Sequence, residues 1–158
     1  MVDIQKIIGN TPLLKISDKI YAKLETYNPS GSIKDRMASY ILQKAEEDGD
    51  LRKGYTIVEA SSGNTGIAFS MLAANKGYGC IIIMPRNMSE ERKQMMKLFG
   101  AEIIEVGPSD FKEAISLRNE MAQADDCWSP CQFENLDNID CHADTTAREI
   151  IKQLFIGE

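Results

Sequence analysis

Tyr55-Thr56-Ile57-Val58-Glu59-Ala60-Ser61-Ser62-Gly63-Asn64-Thr65-Gly66-Ile67-Ala68-Phe69-Ser70-Met71-Leu72-Ala73-Ala74 points most directly to the architecture of this chain. A short β-prone run opens it, glycines punctuate its middle, and apolar helix formers close it. Strand, glycine-bearing loop, helix is how α/β proteins build an anion cradle, because the first N–H groups of the helix point into the loop. Ser61, Ser62 and Thr65 add hydroxyl donors, and the Asn64 amide adds a group able to meet a ring substituent. Neither G-x-G-x-x-G nor G-x-x-x-x-G-K-[ST] is present, which ranks a nucleotide- or phosphate-binding module below other readings. Taken by itself, S-S-G-N-T-G also fits an ordinary βα turn.

The same alternation continues on both sides. Gly79–Met84 reads as the next strand, a helix opens at Ser89 and closes at Gly100, and Glu102–Val106 is a further strand. Ser109 is the expected cap of a helix reaching about Ala124, with Phe111, Ala114, Ile115 and Met121 on one side. Gly77 is the expected left-handed stop of the helix from Thr65 to Lys76. Upstream, Pro12–Ile16 and Ile20–Leu24 read as a short hairpin around Ser17-Asp18-Lys19. Asp125–Cys141 shows no clear periodicity, and Thr145–Phe155 reads as an apolar-faced helix. The expected architecture is a three-layer α/β unit, a parallel sheet with helices on both faces behind an N-terminal β-hairpin.

Asn28-Pro29-Ser30-Gly31-Ser32-Ile33-Lys34-Asp35-Arg36 is the second informative stretch. A helix-avoiding start leads into Ile33, Met37, Tyr40, Ile41 and Ala45 at helical spacing, with Gly49 as the stop. Ser32 is the expected N-cap, placing Lys34 in the first turn, where the helix end is already positive. A cation there is electrostatically misplaced, and an amine so placed suits attack on a carbonyl, although Asp35 opposes the effect. A solvated lysine that happens to open a helix is the plainer alternative.

The chain has 158 residues and a net charge of −6, enough for one domain with a real core. The acidic balance and the lack of a basic run argue against nucleic acid and anionic membrane surfaces as partners. No apolar stretch is long enough to span a bilayer and no signal-peptide core is evident, so a cytoplasmic location is expected. Cys80 lies in an apolar run and reads as core. Cys127, Cys131 and Cys141-His142 cluster, but their spacing is not that of compact zinc sites, so free thiols in a reducing compartment are expected. Met95-Met96 reads as core filler and Glu90-Glu91-Arg92-Lys93 as a solvated face.

Together, N-P-S-G-S-I-K-D-R and E-A-S-S-G-N-T-G resemble the cysteine synthase/cystathionine β-synthase group of fold-type II pyridoxal-phosphate (PLP) enzymes. Ile8-Gly9-Asn10-Thr11-Pro12-Leu13 is similar to that family's opening. Met84-Pro85, Met88–Arg92 and Leu98–Ala101 resemble its middle, and Gln132–Asn135 with His142–Ile150 resemble a later block more loosely. The resemblance implies a truncated tryptophan-synthase-β-like fold, with about 35–141 as the family's small mobile domain and 1–34 and 142–158 as pieces of an incomplete second domain.

It also implies roles. Lys34 would form the internal aldimine with PLP and later remove the substrate α-proton, and Asn64 would contact the cofactor's 3′ oxygen. Ser61, Ser62, Gly63, Thr65 and Gln132 would close on the substrate α-carboxylate, with no metal. The family reaction is β-replacement on an O-activated serine by sulfide or a thiol, through a bound aminoacrylate. Two departures stand out. Residues 135–140 lack the family's asparagine–proline pairs, and Thr145-Thr146-Ala147-Arg148 replaces threonine–threonine–glycine–proline. Prolines fix loop conformation, so the loop after Gln132 is expected to be looser.

Family chains also carry a glycine- and threonine-rich phosphate loop and a later serine facing the pyridine nitrogen, and neither is found here. The chain, which stops at Ile156-Gly157-Glu158, is expected to be a front half that exposes apolar surface and is weak or inactive alone. A homodimer or a complementing C-terminal half is the expected partner, beside a small amino-acid substrate. The alternative is a non-catalytic domain that oligomerises or binds an amino-acid or peptide carboxylate.

Overall fold

A computed structural model describes residues 4–155, so the terminal tripeptide 156–158 lies outside the described residues. β1 (Leu13–Ser17) and β2 (Ile20–Lys23) form the expected antiparallel hairpin, a separate two-stranded sheet. The helix α1 spans Lys34–Asp48 and ends at Gly49 in the left-handed region, φ 81°. β3 (Thr56–Ala60), α2 (Asn64–Lys76), β4 (Gly79–Pro85), α3 (Glu90–Leu98) and β5 (Glu102–Val106) then alternate as read. Gly77 ends α2 with φ 78°, a conformation a side chain with Cβ resists.

α4 (Phe111–Met121) is capped by Asp110, not Ser109: Asp110 Oδ1 accepts from Glu113 N at 2.9 Å. Ser109 sits at φ 57° and its N–H donates to Asn87 Oδ1, so its part is to turn the chain. At the start of α1, Ile33 is the capping residue; the Ser32 hydroxyl accepts from Lys34 N at 3.2 Å, one residue out of register with the expected cap.

The main sheet runs β5-β4-β3-β6, all parallel. β6 is only Cys127–Trp128, inside the stretch read as irregular. Two residues carry no detectable period, and they are a strand only because β3 offers them a free edge. Residues 137–155 form one continuous helical path, with α5 (Asp137–Cys141) and α6 (Arg148–Phe155) joined by a π-helical segment, His142–Ala147. The last helix therefore begins eight residues before the expected Thr145. Within it the Thr145 hydroxyl donates back to Cys141 O at 2.7 Å.

Alternating side chains of the sheet feed two cores. Ile57, Cys80, Ile82 and Met84 pack with α1, α2 and α3 on one face. Val58, Ala60, Ile83 and Val106 pack with Ala114 of α4 on the other. Both faces are thus covered, as an all-parallel sheet requires. Met96 is in the first core as expected, whereas Met95 is 40% exposed. Lys93 departs from the solvated face read for it: it is 3% exposed, with Nζ 2.7 Å from Glu90, Glu105 and Arg86 O. α6 buries no side chain and exposes Ile151 and Phe155, while Leu14, Ile16 and Ile20 are exposed on the hairpin. No helix of the described residues is long and apolar enough to cross a membrane.

One buried ion network ties the chain's beginning to its last helix. Arg36 is 3% exposed and forks onto two carboxylates, Glu25 at 2.7 and 2.9 Å and Glu149 at 2.6 and 2.7 Å. Lys23 Nζ adds contacts to Glu149, Gln153 and Thr11 O. Burial alone would raise the Glu149 carboxyl, but hydrogen bonds from Arg36 and Lys23 outweigh it and hold it down at about 2, from 4.5. Glu25 is likewise lowered, its bonds to Arg36, Thr11 and Asn28 overcoming burial. A carboxylate lowered by folding contributes stability above its unfolded value and loses it as pH falls through the folded one. The midpoint of thermal unfolding is therefore expected to fall steeply as pH drops from 4.5 to about 2. Glu149→Gln should flatten that limb, and parallel acid limbs for variant and wild type would remove Glu149 from the account.

Candidate active site

In an open parallel sheet, ligands bind beyond the carboxyl ends of strands where the winding reverses. Here β3, β4 and β5 succeed one another in one direction, and β6 then lies on the other side of β3. The reversal sits between β3 and β6. The loop Ser61–Gly63 leaves β3 at that point, and Gln132 follows β6 by four residues.

The structure brings these two segments together. Thr65 Oγ1 donates to Gln132 Oε1 at 2.7 Å, and both residues are buried. Ser61 Oγ accepts from Gly66 N at 3.1 Å and Gly63 N at 3.4 Å, folding the loop over the first turn of α2. Gly66 permits a close approach: a Cβ there would lie 2.8 Å from Met96 Cε and 3.2 Å from Ile82 Cγ2. Ser62 and Ser61 also line an apolar cavity of about 160 Å³, walled by Phe111, Ile115 and Phe133. Asn64 is exposed at the first position of α2, its amide unbonded among the described residues.

Lys34 is the first residue of α1, half-buried, and its amine makes no hydrogen bond or ion pair among the described residues. α1 packs on α2, but no described hydrogen bond joins Lys34 to the Ser61–Thr65 loop. The residues around Lys34 are firmly held. Asp35 is fully buried and accepts from the Ser30 N–H at 2.7 Å and from the Ser30 hydroxyl. Burial raises its carboxyl, opposed by those Ser30 bonds. The Asn28 side chain accepts from Gly9 N and donates to Glu25. His142 lies within electrostatic reach: burial first, then the Lys34 and Arg36 charges, lower its pKa.

The expected looseness after Gln132 is not what the geometry shows. Asn135 Nδ2 donates to Pro130 O, Asn138 Nδ2 to Gln132 O, and Asp137 N to Asn135 Oδ1. Asparagine amides brace this loop where prolines would have restricted it. Sequence reading missed Arg92, whose guanidinium lies 3.8 Å from where a Gly63 Cβ would be and makes no ion pair among the described residues. It also missed Arg36, Glu59 and Arg118; the one available signal was a charge inside an otherwise apolar run, at Glu59. Cys80 is buried, and burial pushes its thiol up to about 11. All four cysteines are free, and among the described residues no group of three or more His, Cys, Asp or Glu is placed to hold a metal.

A parallel sheet covered on both faces, a glycine-bearing loop at its switch point and an amine unpaired among the described residues at a neighbouring helix start place the chain in the doubly wound α/β class. Residues 4–156 match the model of the family described as pyridoxal-phosphate dependent enzymes, and the chain belongs to that family. It is 44% identical over 159 residues to a cysteine synthase of Flavobacterium sp., covering 95% of this chain and 52% of that protein. A cysteine synthase of Staphylococcus aureus is 40% identical, covering 96% and 51%. Among solved structures, a hydrogen sulfide-producing enzyme from Fusobacterium nucleatum superposes with TM-score 0.89 at 40% identity, covering 96% of this chain and 52% of that one. An O-acetylserine dependent cystathionine beta-synthase from Helicobacter pylori gives 0.90 at 36%, covering 98% and 54%. The chain thus spans about half the length of the relatives it matches.

The family's cofactor is PLP. The donor set in this chain fits its aldehyde and ring: among the described residues Lys34 offers an unpaired amine and Asn64 an unpaired amide, each at a helix start.

Proposed function

We propose that this chain supplies the Lys34 and carboxylate-loop half of a PLP-dependent, cysteine synthase-like β-replacement site acting on an O-activated serine with sulfide or a thiol. The observation that carries the reading is the Thr65–Gln132 hydrogen bond across the switch point, beside a loop whose N–H groups and hydroxyls suit a carboxylate. Arg92 adds an unpaired positive charge next to that loop. In this reading Ser61, Ser62, Gly63, Thr65 and Gln132 hold the substrate carboxylate, Asn64 orients the cofactor ring, and the Lys34 amine holds the cofactor and moves the α-proton. Bound PLP supplies the electron sink for β-elimination.

Residues 35–141 would be the small, mobile domain. Residues up to 34 and beyond 141 would belong to a second domain, an assignment supported by the Lys23–Gln153, Asn10–Glu149 and Arg36–Glu149 contacts. The exposed apolar residues of α6 and the hairpin suit a complementing C-terminal half, or a homodimer, in the cytoplasm. A second reading is a non-catalytic amino-acid- or peptide-carboxylate-binding domain. It is favoured by the bracing of the loop and Gln132 wholly within this chain.

Mixing the chain with the C-terminal half of the Flavobacterium synthase decides between them. Cysteine formation would be followed from sulfide with O-acetylserine, O-phosphoserine or serine. Activity is expected in the mixture, and Thr65→Ala should lower it by about tenfold or more, the worth of one buried hydrogen bond to the carboxylate site. A stable, PLP-loaded mixture that forms no cysteine, while the chain binds L-serine, would instead establish the second reading.

A further inference from the structure

Glu59 and Arg118 are 0% and 1% exposed, the most deeply buried opposite charges among the described residues, and neither belongs to the loop proposed to hold substrate. A buried pair of this kind is seldom retained for stability alone, since apolar residues of the same volume serve as well or better. Its contacts show what it does. Glu59 Oε1 accepts from Ala60 N at 2.7 Å and from Arg118 Nη1 at 3.4 Å, while Oε2 accepts from Gln132 N at 3.2 Å. Arg118 Nη2 also reaches Glu134, two residues beyond Gln132, at 3.5 Å. One carboxylate thus joins β3, α4 and the loop after β6.

The chain of bonds continues to the site. Gln132 Oε1 takes the Thr65 hydroxyl, which sets the amide's orientation and leaves Nε2 uncommitted. Nε2 makes no hydrogen bond among the described residues, and no fully buried side-chain nitrogen or oxygen there lacks a partner, so Nε2 keeps some access to solvent although Gln132 is buried. Glutamine at 59 could not do the same work. Its single oxygen serves one side, and its NH2 would face N–H groups that cannot accept.

We infer that the Glu59–Arg118 pair is a positioning device for Gln132, fixing its amide so that Nε2–H points at the carboxylate held by the Ser61–Thr65 loop. The identity of that ligand rests on the proposed function; the fixing of Gln132 does not.

Amide exchange and the side-chain NH2 signal of Gln132, followed by ¹⁵N NMR on the ligand-free chain, test the fixing. In Glu59→Gln, Gln132 N–H exchange is expected to quicken about tenfold and its side-chain signal to shift, with α2 and α3 amides unmoved. A folded Glu59→Gln chain whose Gln132 exchange stays within about twofold of wild type overturns the inference. Should that variant not fold, Arg118→Lys, which keeps the charge but loses the fork to Glu134, is read the same way: faster Gln132 exchange supports the device, unchanged exchange removes it. Titration with L-serine separates the two readings. Wild type that fails to bind L-serine yet shows Glu59-dependent Gln132 exchange overturns the carboxylate loop and keeps the positioning. Equal L-serine affinity in wild type and folded Glu59→Gln overturns the positioning role.

Discussion

Lys34→Ala is expected to abolish borohydride-fixed capture of PLP on this chain while leaving its thermal unfolding essentially unchanged. The separation of the two effects follows from where Lys34 stands. It is the first residue of α1, and its amine holds no other side chain or carbonyl among the described residues. Alanine is the best helix former, so the helix start loses nothing local, and the change in stability should stay within about 0.5 kcal/mol. The amine, by contrast, forms with an aldehyde a Schiff base that borohydride fixes, which the hydroxyls at the start of α2 cannot do. Wild type and variant would be incubated with PLP, reduced, digested and weighed by mass spectrometry. Label confined to the Lys34 peptide, and missing from the variant, is the expected result. Equal labelling of another lysine in both proteins would strip Lys34 of its role, whatever the family resemblance.

Arg36→Met should cost about 3–5 kcal/mol, because it leaves two inward-facing carboxylates without their shared cation. Glu25 and Glu149 each receive two bonds from that guanidinium, and their side chains are 14% and 16% exposed, so water replaces little of what is lost. For a chain of this size the midpoint of unfolding should drop by roughly 10 °C or more. Arg36→Lys should recover only part of the loss, since an ammonium cannot fork onto both carboxylates. A loss under about 1 kcal/mol for the methionine variant would mean the network is solvated and unimportant. Because Arg36 lies two residues from Lys34, the variant should also bind PLP more weakly, coupling this salt network to the Lys34 amine.

Much of this molecule is legible along the chain. The β3–loop–α2 unit, the strands β4 and β5, the hairpin and the left-handed stops at Gly49 and Gly77 follow from local pattern, because apolar periodicity and glycine conformations act over a few residues. Candidate site residues are legible for the same reason: Lys34 and Ser61–Thr65 sit at helix starts that short motifs mark. Failures arise where a partner is distant. β6 has two residues and exists by pairing with β3; the final helix starts at Asp137 through packing on α1; Lys93 is buried because Glu105 lies on the next strand.

The alternating α/β order, the two helix starts that carry the candidate site residues, and the family are thus all readable along the chain. What the chain does not show locally is that β6 turns back beside β3, that Gln132 meets Thr65, and that Arg36 and Arg118 are buried cations. The contacts behind these features join residues 11 to 113 positions apart. Local propensity is blind at that range, and burial decides which charges find a partner and which stay in water.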